Sequence, residues 1–125
     1  MLHYFNFDEF DCPTEPGSGA PTTEGGKMNL DFLHKLDDAR RIANVSFRIT
    51  SGYRTEKHNL TVGGRVGSSH TKGLAADILC ENSSKRSAIL KGLFQAGLGR
   101  RVGIADNFVH VDVDMNKPAA IWLYS

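Results

Sequence analysis

The chain has 125 residues and a formal net charge of +1, so it fits one domain (residues 1–125) with its own core, and it lacks the basic field on which nucleic-acid binding relies. Its two cysteines, Cys12 and Cys80, are too few for a disulfide framework, and we expect free thiols. The N-terminus has no basic region followed by an apolar stretch, and no run is long enough to span a membrane, which predicts cytoplasmic synthesis without a signal peptide and no membrane partner.

Helical and strand patterns alternate along the chain. Residues 5–10 form an apolar anchor, and residues 13–26, rich in Pro, Gly, Ser and Thr, indicate an irregular loop. Three helices are predicted: Leu30–Ala43 behind an Asn29 cap, residues 55–62, and a helix from a Ser83 or Ser84 cap to Gly97. The predicted strands are residues 45–50, 75–79, 101–104, 108–113 and 121–124. This order indicates an α+β fold, a single compact domain in which a small, mainly antiparallel sheet has helices packed on one face.

The strongest chemical signal is a pair of histidine motifs. HTKGLAAD runs from His70 to Asp77, and FVHVD at residues 108–112 contains His110. Two imidazoles and a carboxylate supply three zinc ligands and leave a fourth position open, as in catalytic rather than structural sites. In the second motif the valines alternate with His110 and Asp112, so both polar side chains share the face opposite the core. We therefore expect one Zn²⁺ in a cleft on the face opposite the helices.

A third element strengthens this interpretation. A histidine taken alone is more often a satisfied core or surface side chain than a ligand, and His3 and His34 are interpreted in that way. Arg54, however, follows the apolar alternation of residues 45–50, and an Arg just past a strand end is well placed to hold a carboxylate with its planar fork of donors. The three elements together favour a zinc hydrolase.

In this order, the motifs resemble those of the zinc D-alanyl-D-alanine carboxypeptidases. The resemblance spans residues 5–124 and is strongest to the short, single-domain branch common in phages, prophages and bacterial genomes. The larger group also contains lysostaphin-type peptidases, murein endopeptidases and the hedgehog signalling domain. The matching motifs are SGYR at 51–54, HN at 58–59, VGG at 62–64, SxHxxGxAxD at 68–77 and FVHVD at 108–112.

The resemblance implies a role for each matching residue. His70, Asp77 and His110 match the zinc ligands, and Arg54 matches an Arg that holds the substrate near the scissile bond. Ser68 matches a position that contacts substrate or supports the ligands.

The general base departs from the family pattern. Asn107 stands where many relatives have a Glu, and Phe108 where others have a His. Two carboxylates in the local segment remain as candidates. Asp112 is favoured because it shares a strand face with His110, whereas Asp106 lies in the preceding turn.

Other residues near the motifs have weaker signals. Tyr53, next to Arg54, is a candidate substrate contact, and we expect His58 to orient the Arg54 loop rather than bind metal. Trp122 and Tyr124 could line a groove for a glycan, but a terminal strand more commonly packs its aromatic side chains on the core, and we expect that arrangement.

The sequence thus predicts a monomeric zinc peptidase whose partner is a peptidoglycan stem peptide. Either D-Ala-D-Ala carboxypeptidase or L,D-endopeptidase activity fits, and a lysis system would release the protein to the cell wall. Two alternatives remain open, a non-catalytic zinc-containing binding module and a phage structural protein with the same fold.

Overall fold

The computed structural model describes residues 2–124, and its first two helices begin where short polar side chains cap them. Helix α1 spans Leu30–Ala43, and the side chain of Asn29 accepts a hydrogen bond from the Phe32 amide. Helix α2 spans Glu56–Thr61 and is capped in the same way by Thr55. The sequence predicted both helices to within one residue at each end.

The third helix, α3 (Ser83–Gln95), has a different cap from the one expected. Asn82 is the extended residue before the helix, and its side chain accepts the Lys85 amide at 2.8 Å. The prediction of a Ser83 or Ser84 cap is wrong, because the amide oxygen of Asn82 already satisfies the amide at the third helical position. Gly97 follows the helix in the left-handed conformation, as expected of a helix end.

Five strands form one mixed sheet in the order β1-β2-β4-β3-β5. Adjacent strands are antiparallel except β3 and β5, which are parallel. The strands are β1 Ile49–Ser51, β2 Ala75–Leu79, β3 Arg101–Ile104, β4 Phe108–Asp112 and β5 Ala120–Leu123. The α+β class and the mainly antiparallel sheet are thus confirmed.

The first strand is shorter than predicted. The strand covers Ile49–Ser51, and its register with β2 shifts within that segment. Phe47 is nevertheless fully buried in the core. The apolar alternation of residues 45–50 thus predicts the burial of Phe47 correctly, although the strand itself begins at Ile49.

The two faces of the sheet have different chemistry. Apolar side chains of β2, β3 and β4 pack against those of α1 and α3 in the core, among them Ile78, Val102, Val109, Val111, Leu36 and Leu93. On the other face, strand pairing sets Asp77, His110, Gly103 and Trp122 in a single row across four strands. Since side chains alternate along a strand, the buried valines fix which residues point away from the helices.

The N-terminal segment closes one end of the core. Phe5 and Phe10 are buried and pack edge to face with ring centroids 5.2 Å apart. Cys12 and Cys80 are both buried free thiols, as predicted. Within residues 2–124, every helix is too short or too polar to cross a bilayer.

Candidate metal centre

Three segments bring His70, Asp77 and His110 together. His70 lies in the 3-10 turn Ser69–Lys72, while Asp77 and His110 face each other directly across the β2–β4 pair. Oδ1 of Asp77 is 2.9 Å from Nδ1 of His110 and 3.4 Å from Nε2 of His70. One ligand atom from each of the three lies within 4.8 Å of the others, and all three side chains are buried.

The turn that carries His70 is fixed at both ends. Ser68 caps it by accepting the His70 amide at 3.2 Å. Gly73 ends it with φ of +70°, and a Cβ at this position would collide with the Lys27 carbonyl. Glycine is therefore required there by conformation and by close approach. Nδ1 of His70 lies 2.8 Å from the Gly52 carbonyl oxygen. Because a carbonyl only accepts, Nδ1 carries a proton, and Nε2, on the side of Asp77, is the nitrogen left available to a metal ion.

His110 is oriented in the opposite sense by Asp112. Nε2 of His110 lies 2.8 Å from Oδ2 of Asp112 and donates to that carboxylate. The other carboxylate oxygen, Oδ1, accepts from Nε of Arg101 at 2.8 Å and from the Asp114 amide at 3.0 Å. Both oxygens of the buried Asp112 are thereby engaged, and Nδ1 of His110 faces Asp77.

This donor set fits a divalent transition metal. The outer nitrogen of each imidazole donates to a fixed acceptor, so the two inner nitrogens and the Asp77 carboxylate converge as lone-pair donors. Such outer hydrogen bonds are a recurrent support for metal-bound histidines. Two imidazoles and one carboxylate are a ligand set that suits zinc with an open position.

The pKa shifts of Asp77 and His110 are consistent with the close approach of the three side chains. Burial alone would raise the pKa of Asp77. Without a metal, a second proton on His110 or His70 is donated to this carboxylate, and these contacts hold the pKa of Asp77 below its ordinary range. Burial alone would lower the pKa of His110, yet its contacts with Asp112 and Asp77 produce a net increase. The Asp77 carboxylate is thus ionised and favours positive charge on the imidazoles of His70 and His110 at either side of it.

Arg54 lies next to the three residues and is itself held in place. Its Nε donates to the Ser51 hydroxyl at 3.0 Å, and Nη1 donates to Oδ1 of Asn59 at 3.1 Å. Nη2 lies 3.6 Å from Oδ2 of Asp77. His58 was expected to orient the Arg54 loop, whereas the α2 side chain that holds the Arg54 guanidinium is the neighbouring Asn59. The sequence signal that could have identified Asn59 is its place in the HN motif at residues 58–59.

The other predicted site residues separate into two groups. Ser68 and Asp112 line the same cleft as the three histidine-motif residues. Tyr53 packs against the core instead, and Asp106 lies in the exposed turn between β3 and β4. Neither residue is among those that line the cleft within residues 2–124.

An aromatic wall borders the centre. Trp122 crosses over Gly103, where a Cβ would come within 2.7 Å of the indole, and its ring centroid lies 5.5 Å from that of His110. Tyr124 packs on Phe108 at 5.1 Å. Trp122 and Tyr124 both line the cleft, so the expectation that they pack on the core is wrong.

The cleft is electropositive. It has a volume of about 810 Å³, and its carboxylates among the described residues are Asp77 and Asp112. Its cationic side chains are Arg54, Arg65, Arg101 and Lys117. Of these four cations, Arg54 alone was predicted from the sequence, because the others are distant from the histidine motifs in sequence or carry no motif of their own.

A mixed sheet with a buried, convergent His–Asp–His set that opens into a cleft defines a domain with a candidate catalytic metal centre. The model of the family described as Peptidase M15 matches residues 3–112. This match covers most of the chain, and the chain therefore belongs to the M15 peptidase family, whose members are metal-dependent. A search of curated proteins finds no match.

Proposed function

We propose that the protein is a zinc metallopeptidase that cleaves peptidoglycan stem peptides, with one Zn²⁺ held by His70, Asp77 and His110. The observation that carries the proposal is the convergence of the three donors, each imidazole being fixed from behind, in a chain of a peptidase family. The partner is a stem peptide, and we propose that a monomer acts on the wall after release by a lysis system.

Zinc held at this centre would supply Lewis acidity, which polarises a carbonyl group and lowers the pKa of water to about 7. The protein residues supply position. Arg54, held by Ser51 and Asn59, offers its guanidinium to a substrate carboxylate beside the scissile bond. Trp122 and Tyr124 form an apolar wall that shields the substrate from water.

Asp112 acts as a positioning residue in this proposal. Both of its oxygens are occupied, and the contact with Nε2 of His110 holds that imidazole in the tautomer that presents Nδ1 to the centre. The sequence had favoured Asp112 as general base; its contacts support the orienting role more directly.

A non-catalytic zinc-binding module is the second candidate. One observation favours it: within residues 2–124 the cleft carboxylates are Asp77 and Asp112, and neither is free to take a proton without giving up a contact. Catalysis therefore depends on one of them exchanging its partners when substrate binds.

The deciding experiment measures metal and product together. Purified protein is analysed for zinc and then incubated with stem pentapeptide and with cross-linked muropeptides. We expect about one zinc per chain and hydrolysis. Release of free D-alanine identifies a carboxypeptidase, and release of internal fragments an endopeptidase. Bound zinc with neither product contradicts the enzyme and supports the binding module.

A further inference from the structure

The end of β4 continues into a turn that brings a lysine to the cleft. Lys117 lines the cleft, and its side chain is 34% exposed. Nζ donates to Oγ of Ser69 at 3.0 Å. Ser69 immediately precedes His70, so the ammonium group lies beside the segment that carries one of the three candidate ligands.

Main-chain hydrogen bonds fix the position of Lys117. The Lys117 amide donates to the Asp114 carbonyl at 3.3 Å, and its own carbonyl accepts from Arg100 at 2.7 Å. Arg100 also donates to the Asp114 carbonyl at 3.1 Å. The main chain on both sides of Lys117 is thus fixed, and the side chain is directed by its contact with Ser69.

The positive charge of Lys117 is not fully balanced by a carboxylate of its own. The carboxylate of Asp114 is fully buried and already pairs with Lys72 at 3.0 Å, while Lys117 is farther away at 3.7 Å. Asp114 also accepts from Ser69 and from the Asn116 amide. One carboxylate therefore faces two partly exposed ammonium groups, and Lys117 is the one that lines the cleft.

The cation at Arg54 is anchored separately, by Ser51 and Asn59. In addition, Lys117 lies beyond residues 3–112, which the family model matches. Lys117 itself therefore belongs to the C-terminal segment, and its partner Ser69 lies inside the histidine motif at residues 68–77.

We propose that Lys117 is a second carboxylate-binding position in the cleft, which selects substrates that carry a further carboxylate in addition to the one held by Arg54. The inference rests on the proposed function and narrows its substrate class to peptides with two or more free carboxylates. An ammonium group that is partly desolvated and lacks a full counter-charge binds a carboxylate by a charge-assisted hydrogen bond.

The test compares two stem peptides. One retains all its carboxylates, and the other retains only the C-terminal carboxylate, the rest being amidated. Binding to the zinc-loaded full chain is followed by rapid-mixing fluorescence of Trp122, the single tryptophan of the chain, which borders the cleft. Turnover of the same peptides is measured in parallel.

We expect the wild type to bind the fully anionic peptide about 10-fold more tightly than the amidated one. Lys117→Met should reduce this ratio to near one without changing the affinity for the amidated peptide. Lys91→Met removes the same charge from an exposed position on α3 and should leave the ratio unchanged.

Loss of affinity for both peptides in Lys117→Met, or no preference in the wild type, overturns the proposal. If both peptides are cleaved but the preference is absent, the second carboxylate position fails and the peptidase stands. If neither peptide is cleaved but the Lys117-dependent preference is present, the binding position stands and the catalytic function fails.

Discussion

Each nitrogen of the Arg54 guanidinium has a different neighbour, namely Ser51, Asn59 and Asp77. Lysine retains the positive charge but cannot make these contacts at the same time as a bidentate contact to a carboxylate. We predict that Arg54→Lys lowers kcat/KM on a stem peptide by roughly 100-fold, while zinc content stays at the wild-type value.

Steady-state kinetics and metal analysis of the same preparation check this prediction. Arg65→Lys is the matched control, because Arg65 lines the same cleft and its side chain makes no hydrogen bond or ion pair within residues 2–124. Wild-type turnover by Arg54→Lys would remove Arg54 from the substrate site.

A substitution at Asp112 distinguishes the proposed orienting role from that of a general base. Asparagine at this position keeps the shape but weakens the charge-assisted contact to His110. As an orienting residue, Asp112→Asn should weaken zinc affinity by about 10- to 100-fold and recover much of its turnover when zinc is saturating. A general base would instead lose roughly 100- to 10,000-fold in turnover with zinc retained.

Competition with a chromogenic chelator gives the zinc affinity, and kinetics at high zinc give the turnover. Asp106→Asn, in the exposed β3–β4 turn, serves as the control and should change neither. If Asp106→Asn abolishes turnover and Asp112→Asn does not, the general base is Asp106.

At the scale of secondary-structure elements, Asp114 links the end of β4 to the 3-10 turn that carries His70. Burial alone would raise the pKa of Asp114, but hydrogen bonds from Lys72, Ser69 and the Asn116 amide lower it to about 2. A carboxylate with a depressed pKa stabilises the folded state above its unfolded pKa, near 3.8, and that contribution is lost as the pH falls towards 2.

We therefore predict that Asp114→Asn lowers the free energy of unfolding at pH 7 by about 1 to 3 kcal/mol. The difference from the wild type should narrow between pH 4 and pH 2, because the wild-type carboxylate also becomes neutral there. Denaturant unfolding of the metal-free proteins at several pH values measures this. Asp38→Asn, which breaks an exposed pair with Arg41, should have a much smaller effect.

These elements also show how far the sequence could predict the site. Alternation in FVHVD correctly separates Val109 and Val111 from His110 and Asp112, because side-chain direction in a strand is a local property. The partners of Asp112 and Asp114 are different. Arg101 meets Asp112 only because β3 lies next to β4 in the sheet, and Ser69 reaches Asp114 from 45 residues away in sequence. Such contacts depend on strand order, which a single sequence does not fix.

For the molecule as a whole, the candidate centre ties together parts of the chain that are distant in sequence. His70 comes from a turn before β2, and His110 comes from β4, with α3 and β3 between them. A cation bound at this point stabilises the folded state, in which the three donors converge, over the unfolded chain, in which they do not.

We predict that zinc at about 100 times its dissociation constant stabilises the fold by about 2.7 kcal/mol, which corresponds to an increase in Tm of roughly 10 °C. Thermal unfolding by circular dichroism, with zinc or with a chelator, measures the increase. Magnesium at the same concentration should give little change, since it prefers oxygen ligands. His34→Ala, on the surface of α1, should keep the zinc-dependent increase, whereas His70→Ala and His110→Ala should lose it. An equal increase in all three variants would mean that zinc binds elsewhere and that the His70, Asp77 and His110 assignment is incorrect.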